Sequence, residues 1–210
     1  MSADKMIIAV TGKTKSGKSL ACSYLAEAGY KVIDIDRFAH SLYSKGTPLW
    51  KRLIKIYGEQ VLCRDGNIDR SKLGKLAFSS EKTYIRFTNI VYPYLVKSLR
   101  SEIARHGSKT VVLDFAVLFE TGFDRLVDRI IFVTLKESIW KKRIRACPNA
   151  EFLLKAAKFQ ETIPASKKIA LSDYIIYNNS SRKALKKGIL EAIFLITKGK
   201  NGPGKKGKYR

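Results

Sequence analysis

Cysteine and histidine are scarce in this 210-residue chain: Cys22, Cys63 and Cys147 are the three cysteines, His40 and His106 the two histidines. The cysteines are widely spaced, odd in number and form no CxxC pair, which argues against a disulfide framework and a structural zinc site and leads us to expect a reducing cytosolic compartment. Acidic residues are also few, 18 against 41 lysines and arginines, for a net charge of +23. Such an excess suits polyanionic ligands (phosphates, nucleic acid or an anionic membrane) without choosing among them, and it also arises from lysine spread over a solvated surface. No apolar run approaches the roughly 20 residues of a membrane-spanning helix. Residues 1–5 are polar, and the apolar run behind them stops at a glycine-rich loop instead of a small-residue cleavage site, so no signal peptide is expected. With 45% hydrophobic and 28% charged residues, the chain suits one globular domain with room for a small insertion.

The apolar runs that are present are short. Met6-Ile7-Ile8-Ala9-Val10, Val32-Ile33, Thr110-Val111-Val112-Leu113-Asp114, Arg129-Ile130-Ile131-Phe132-Val133 and Tyr174-Ile175-Ile176-Tyr177 read as five strands, buried on both faces as in a parallel sheet. Residues 18–28 carry a helical pattern through Leu20, Tyr24 and Leu25, with Gly29 at the expected stop. Residues 48–106 read as mostly helical, with Leu53, Ile56 and Tyr57 on one face and Ile85, Ile90, Leu95, Leu99 and Ile103 on another. Residues 138–171 form a second helical stretch, dense in lysine and arginine, and residues 182–197 a closing amphipathic helix. The expected organisation is an α/β core of residues 1–46 and 109–198, a helical insertion at 47–108 and a lid at 139–172. Residues 199–210, basic and without an acidic residue, are expected to be disordered.

The sharpest signal is Gly12-Lys13-Thr14-Lys15-Ser16-Gly17-Lys18-Ser19, which matches G-x-x-x-x-G-K-[ST] between a strand and a helix. Such a P-loop turns successive backbone N–H groups inward, and the positive end of the following helix adds to them, so that phosphate oxygens meet donors needing little reorganisation. Lys18 is expected to reach the β and γ phosphates and the Ser19 hydroxyl to bind Mg²⁺. A glycine-rich turn that binds nothing explains the glycines but not the Lys-Ser that follows. Asp34 and Asp36 lie past the second strand, at the carboxyl edge where open α/β sheets bind ligands. Either could take a proton from a hydroxyl nucleophile or help to hold the metal, and Asp36 could equally cap a helix. Asp114 ends the third strand where a Walker-B carboxylate would orient water on Mg²⁺, with capping again the alternative. The basic run Lys141-Lys142-Arg143-Ile144-Arg145 could close over a transferring phosphoryl group, or simply be a solvated helix face.

Together these residues resemble the dephospho-CoA kinase family, P-loop kinases of the nucleoside monophosphate kinase type. Val32-Ile33-Asp34-Ile35-Asp36-Arg37-Phe38-Ala39-His40 is similar to the family's V-I-D-A-D-x-x-A-H, and residues 66–74, Gly-Asn-Ile-Asp-Arg-Ser-Lys-Leu-Gly, to its G-x-I-D-R-x-x-L-G. Residues 114–120 resemble its D-x-P-L-L-F-E and residues 170–178 its A-D-Y-V-I-x-N ending. The resemblance implies transfer of the γ-phosphoryl group of ATP to the ribose 3′-hydroxyl of dephospho-CoA, with Mg²⁺. It implies Asp36 as catalytic base, Lys18 and Ser19 as phosphate and metal residues, Arg143 as the first lid arginine and Asn178 near adenine. Asp34, Asp36, Arg70 and Asp114 are implied on the acceptor side. The expected partners are the small-molecule substrates, with no membrane and no specific nucleic acid; the sequence does not determine the oligomeric state, and a monomer is favoured.

The departures are specific. Lys13 and Lys15 stand where the family usually has glycine, a source of strain if both take positive φ. Tyr92 replaces the histidine of a His-Pro pair, Ala116 a proline and Cys147 the second lid arginine, for which Arg145 is a possible substitute. Gln160 and Lys168 match the family's glutamine and lysine with a longer spacing to Asp173. A P-loop kinase for another nucleotide or nucleoside is the alternative enzyme. A nucleic-acid-binding P-loop protein is the alternative of another class, although no aromatic-rich RNA-binding motif accompanies the charge.

Overall fold

The computed structural model describes residues 6–107, 109–160 and 162–198; the basic tail at 199–210 lies outside them. The chain divides into two compact units, one containing the residues up to Asp34 and those from Gly107 onward, the other Ile35–His106.

The first unit is built on β1 (Ile7–Thr11), β2 (Lys31–Asp34), β3 (Val111–Asp114), β4 (Arg129–Thr134) and β5 (Tyr174–Tyr177). All pair in parallel, in the order β2-β3-β1-β4-β5. Every residue of β3 is buried, and so are all but the first of β1, as unbroken β-branched runs require when helices cover both faces. β3 inserts between β1 and β2, so the order reverses at β1, and such a switch point opens a crevice at the carboxyl ends of the strands. Helices α1 (Lys18–Glu27) and α9 (Arg182–Thr197) pack on the sheet through Ala21, Cys22, Leu25, Leu185, Ile189 and Ile193, all buried. The buried stripe of α1 is therefore Ala21, Cys22 and Leu25, while Leu20 and Tyr24 only flank it. Small residues let the helix lie close to the strands, which the apolar spacing alone does not reveal. α1 stops where expected: Gly29 (φ 91) donates to the Ala26 carbonyl and Tyr30 to that of Leu25, a Schellman ending.

The basic stretch after β4 is three helices, α6 (Glu137–Arg145), α7 (Ala150–Gln160) and α8 (Ala165–Ala170). Pro148 and Pro164 fall in the breaks, where a missing N–H and a fixed φ are tolerated. Lys168 on α8 is 8% exposed, and its ammonium forms an ion pair with Glu120 in the loop after β3. Removing one member of such a pair strands the other charge, so Lys168→Met is expected to cost about 3–5 kcal/mol in urea unfolding. Adding Glu120→Gln to it should restore most of that loss. No restoration would mean that the pair is not the source of the cost.

The second unit contains α2 (Ile35–Leu42), α3 (Pro48–Tyr57), α4 (Arg70–Ala77) and α5 (Glu81–Arg105) around Tyr43, Leu49, Leu53, Val61, Ile68, Leu73 and Val91. The buried positions of α5 are Tyr84, Thr88, Val91, Leu95 and Leu99. Leu95 and Leu99 of the expected face are buried as anticipated, but Ile85 is 49% exposed, because the helix turns Tyr84 inward against Phe78, with ring centroids 5.2 Å apart. Pro93 sits inside α5 on its exposed side, and the helix continues through it.

Candidate active site

Immediately after β1 the chain turns through Gly12, whose φ is 149°; a Cβ there would meet the Val133 carbonyl oxygen of β4 at 2.2 Å. Gly17, at φ 102°, caps α1, and a Cβ on it would meet Asn178 Nδ2, also at 2.2 Å. Glycine at both positions is thus dictated by close approach as well as by dihedral angle. Between them Lys15 takes φ 64°, the one positive value at a non-glycine residue among those described; Lys13 does not share it.

The loop is braced from outside. Trp140 of α6 donates its indole N–H to the Thr14 carbonyl at 2.8 Å, and Asn178, just past β5, donates from Nδ2 to the Ser16 carbonyl at 2.8 Å. Arg143 reaches the carbonyls of Lys15, Ser16 and Asn178, each at 3.3 Å. The Ser16 N–H donates to the Lys13 carbonyl at 2.9 Å, while the buried Ser16 hydroxyl has no hydrogen-bond partner. Lys13 turns its ammonium to Glu137 Oε2 at 3.3 Å and over the Trp140 ring, 3.3 Å from its centroid.

Lys18 and Asp114 meet at the carboxyl edge of the sheet. Lys18 Nζ lies 3.3 Å from Asp114 Oδ1, with the two side chains 12% and 6% exposed. That oxygen is buried and accepts no hydrogen bond, which leaves it suited to a cation or a water on one. Asp114 is in register with Val10 on one side and Asp34 on the other. Ser19, in the first turn of α1, is exposed, as is Asp34. Cys22 is buried behind this pair; burial foremost, then the Asp114 charge, pushes its thiol far up against the opposing effect of Lys18, so it stays a neutral spectator. Gly12, Lys13, Thr14, Lys15, Ser16, Gly17, Lys18, Ser19, Asp34, Asp114, Arg143 and Asn178 thus lie in one unit.

Asp36 and Arg70 belong to the other unit. α2 begins at Ile35, which is 1% exposed, so Asp36 is in the first helical turn and Asp34 is the residue before it. Arg70 opens α4, whose cap is Asp69, accepting from Ser71 and Lys72 backbone N–H groups at 2.9 and 3.0 Å. In the Asp69-Arg70 pair, then, the aspartate is committed to the helix end. Tyr43 connects the two expected site residues electrostatically: burial pushes its phenol up to about 12, Arg70 opposing and Asp36 adding to the rise. Cys147, where a second lid arginine was sought, turns its thiol to the Arg143 carbonyl at 3.3 Å, and Arg145 is exposed. Trp140 and Glu137 carry no motif and were not singled out by the sequence; Glu120 ends the 114–120 motif, which gave it no role.

Among the described residues no cluster of three or more histidine, cysteine or acidic side chains could hold a metal by itself. Mg²⁺ is commonly held by one or two protein oxygens plus substrate phosphates, a smaller demand than such a cluster. A sequence model of the dephospho-CoA kinase family matches residues 6–184. A dephospho-CoA kinase of Carboxydothermus hydrogenoformans is 33% identical over 190 residues, covering 89% of this chain and 92% of the relative. One from Fusobacterium nucleatum is 32% identical over 186 residues, covering 88% and 95%. The fold is similar to that of a Thermus thermophilus protein, with a TM-score of 0.76 at 25% identity and coverage of 92% and 98%. A shikimate kinase from Acinetobacter baumannii shares the fold at a TM-score of 0.51 and 15% identity, covering 94% and 96%. With its P-loop at the switch point of a five-stranded parallel sheet and a family match over most of its length, the chain belongs to the dephospho-CoA kinase family.

Proposed function

We propose that this chain transfers the γ-phosphoryl group of ATP to the ribose 3′-hydroxyl of dephospho-CoA, giving coenzyme A and ADP, the last step in making coenzyme A. The observation that carries the residue assignment is the Lys18–Asp114 pair beneath the phosphate-binding loop. The loop N–H groups and the start of α1 hold the phosphates, and Lys18 neutralises charge on the transferring group. Ser19 and, through water, Asp114 would hold Mg²⁺, which would offset phosphate charge. Asp36 accepts the proton of the acceptor hydroxyl, and Asp34 and Arg70 help to receive the acceptor. An alcohol is a poor nucleophile, so a positioned carboxylate and a neutralised phosphate are the minimum apparatus.

Residues 139–172 serve as the lid. Arg143 is tied to the P-loop and Lys168 to Glu120; closing of the lid excludes water that would otherwise compete as acceptor. The free thiols Cys22, Cys63 and Cys147 suit a reducing compartment, and no described helix is long and apolar enough to cross a membrane.

The test is ADP formation from Mg²⁺-ATP with and without dephospho-CoA, with coenzyme A followed by mass. Coenzyme A and ADP in equal amounts are expected. ATP turned over only with another nucleotide or nucleoside would reassign the acceptor, and no turnover with any of them would remove the kinase reading.

A further inference from the structure

The loop carries lysine at a position of left-handed backbone, and the structure supplies an unusual set of donors around that residue. φ and ψ at Lys15 are set by the relative orientation of two rigid peptide planes, 14–15 and 15–16. The first plane ends in the Thr14 carbonyl, bonded to the Trp140 indole at 2.8 Å; the second ends in the Lys15 carbonyl, within 3.3 Å of Arg143. Both planes flanking the φ 64° residue are therefore fastened to α6 by side chains more than 120 positions away in the sequence. In a trans peptide the N–H points opposite to the carbonyl before it, so drawing the Thr14 oxygen outward turns the Lys15 N–H toward the inner, phosphate side of the loop. Trp140 is itself held in place. It is 6% exposed, and its ring face carries the Lys13 ammonium, which Glu137 of the same helix anchors from the other side. A cation over an indole face is attracted by the ring quadrupole, and the carboxylate fixes its place.

We propose that Trp140 is a positioning residue for the nucleotide: by bonding the Thr14 carbonyl it holds Lys15 in its left-handed conformation, so that a loop without the usual glycine still presents its N–H groups to phosphate. Glycine at position 15 would adopt this backbone without a Cβ clash, and the brace would then have little to do. Trp140 never touches the reacting atoms; it acts through the loop. The inference rests on the nucleotide-binding reading of the loop.

That dependence on residue 15 makes the test a double-mutant cycle, with ADP titrated calorimetrically into the full chain and into Trp140→Phe, Lys15→Gly and the double variant. Phenylalanine keeps a ring beneath Lys13 and most of the buried volume but has no N–H. Trp140→Phe alone is expected to weaken ADP binding about tenfold, the effect of one hydrogen bond whose loss leaves a strained turn unfastened. In steady-state assays the same change should appear in KM for ATP, with kcat held within about twofold. In the Lys15→Gly background the Trp140→Phe change is expected to cost less than about twofold. A cost of equal size in both backgrounds would make Trp140 a packing residue and overturn the proposal, as would no cost in either. Absence of ADP binding by the unaltered chain would instead overturn the nucleotide-site reading, and this inference with it.

Discussion

Lys18→Ala is expected to lower kcat by about 10³-fold or more, since a cation aimed at charge that develops in the transition state is among the largest single contributions an enzyme makes. The structure adds a second consequence. Lys18 Nζ sits 3.3 Å from Asp114 Oδ1, and the carboxylate is almost wholly withdrawn from solvent. Removing the ammonium therefore leaves an unpaired buried anion beside the P-loop, and like charges at short range repel strongly where water is excluded. Nucleotide affinity should fall together with turnover. The double variant Lys18→Ala, Asp114→Asn separates the two effects. Neutralising Asp114 should recover a substantial part of ADP affinity, measured by calorimetry, while turnover stays lost because the cation that stabilises the transferring group is still missing. Unimpaired kcat in Lys18→Ala would sink the assignment of the phosphate site. Equal ADP affinity in the single and double variants would show that Asp114 exerts no such repulsion.

What the sequence made legible in this site is what is contiguous. Eight consecutive residues at 12–19 define the loop, and the β1 and β3 runs read as buried strands because both faces of the sheet are covered and no polar alternation dilutes the signal. The reach of α6 onto the loop was invisible. Trp140 and Thr14 are 126 positions apart, and a tryptophan in a basic helix carries no pattern that marks its N–H for a distant carbonyl. Arg143 was read as a lid cation from its place in a basic run. In the structure its guanidinium lies against loop carbonyls, so it braces the loop. The Lys13 ammonium is likewise engaged, by Glu137 and the Trp140 ring, a pairing the loop motif does not disclose. Helix phase failed for a related reason. On α5 the inward stripe is fixed by tertiary partners such as Phe78 against Tyr84, and Ile85, one position along and the more apolar of the two, is left exposed. On α1 the small side chains Ala21 and Cys22 face the sheet because the helix lies close to it, a constraint that a search for large apolar residues passes over.

Asp36→Asn should separate binding from chemistry. The residue lies in the helical unit, in the first turn of α2, whereas every expected phosphate residue lies in the other unit. The substitution keeps the size and one acceptor oxygen but removes the capacity to take a proton at neutral pH. ADP affinity is expected to stay within about twofold, while kcat falls by about 10²–10⁴-fold, the range typical of a lost general base. A low kcat alone does not identify a base, because a residue holding the metal would also lower it. The pH profile discriminates. A carboxylate base must be ionised to act, so kcat/KM of the unaltered enzyme should fall as pH drops through its pKa in the enzyme, and the variant should be slow but flat across that limb. A metal-holding role instead makes the variant need more Mg²⁺ and regain turnover as Mg²⁺ is raised. Retained ADP binding, a vanished acid limb and no rescue by Mg²⁺ together would assign Asp36 to the proton of the acceptor hydroxyl. Loss of ADP binding would place it among the structural or metal-holding residues instead.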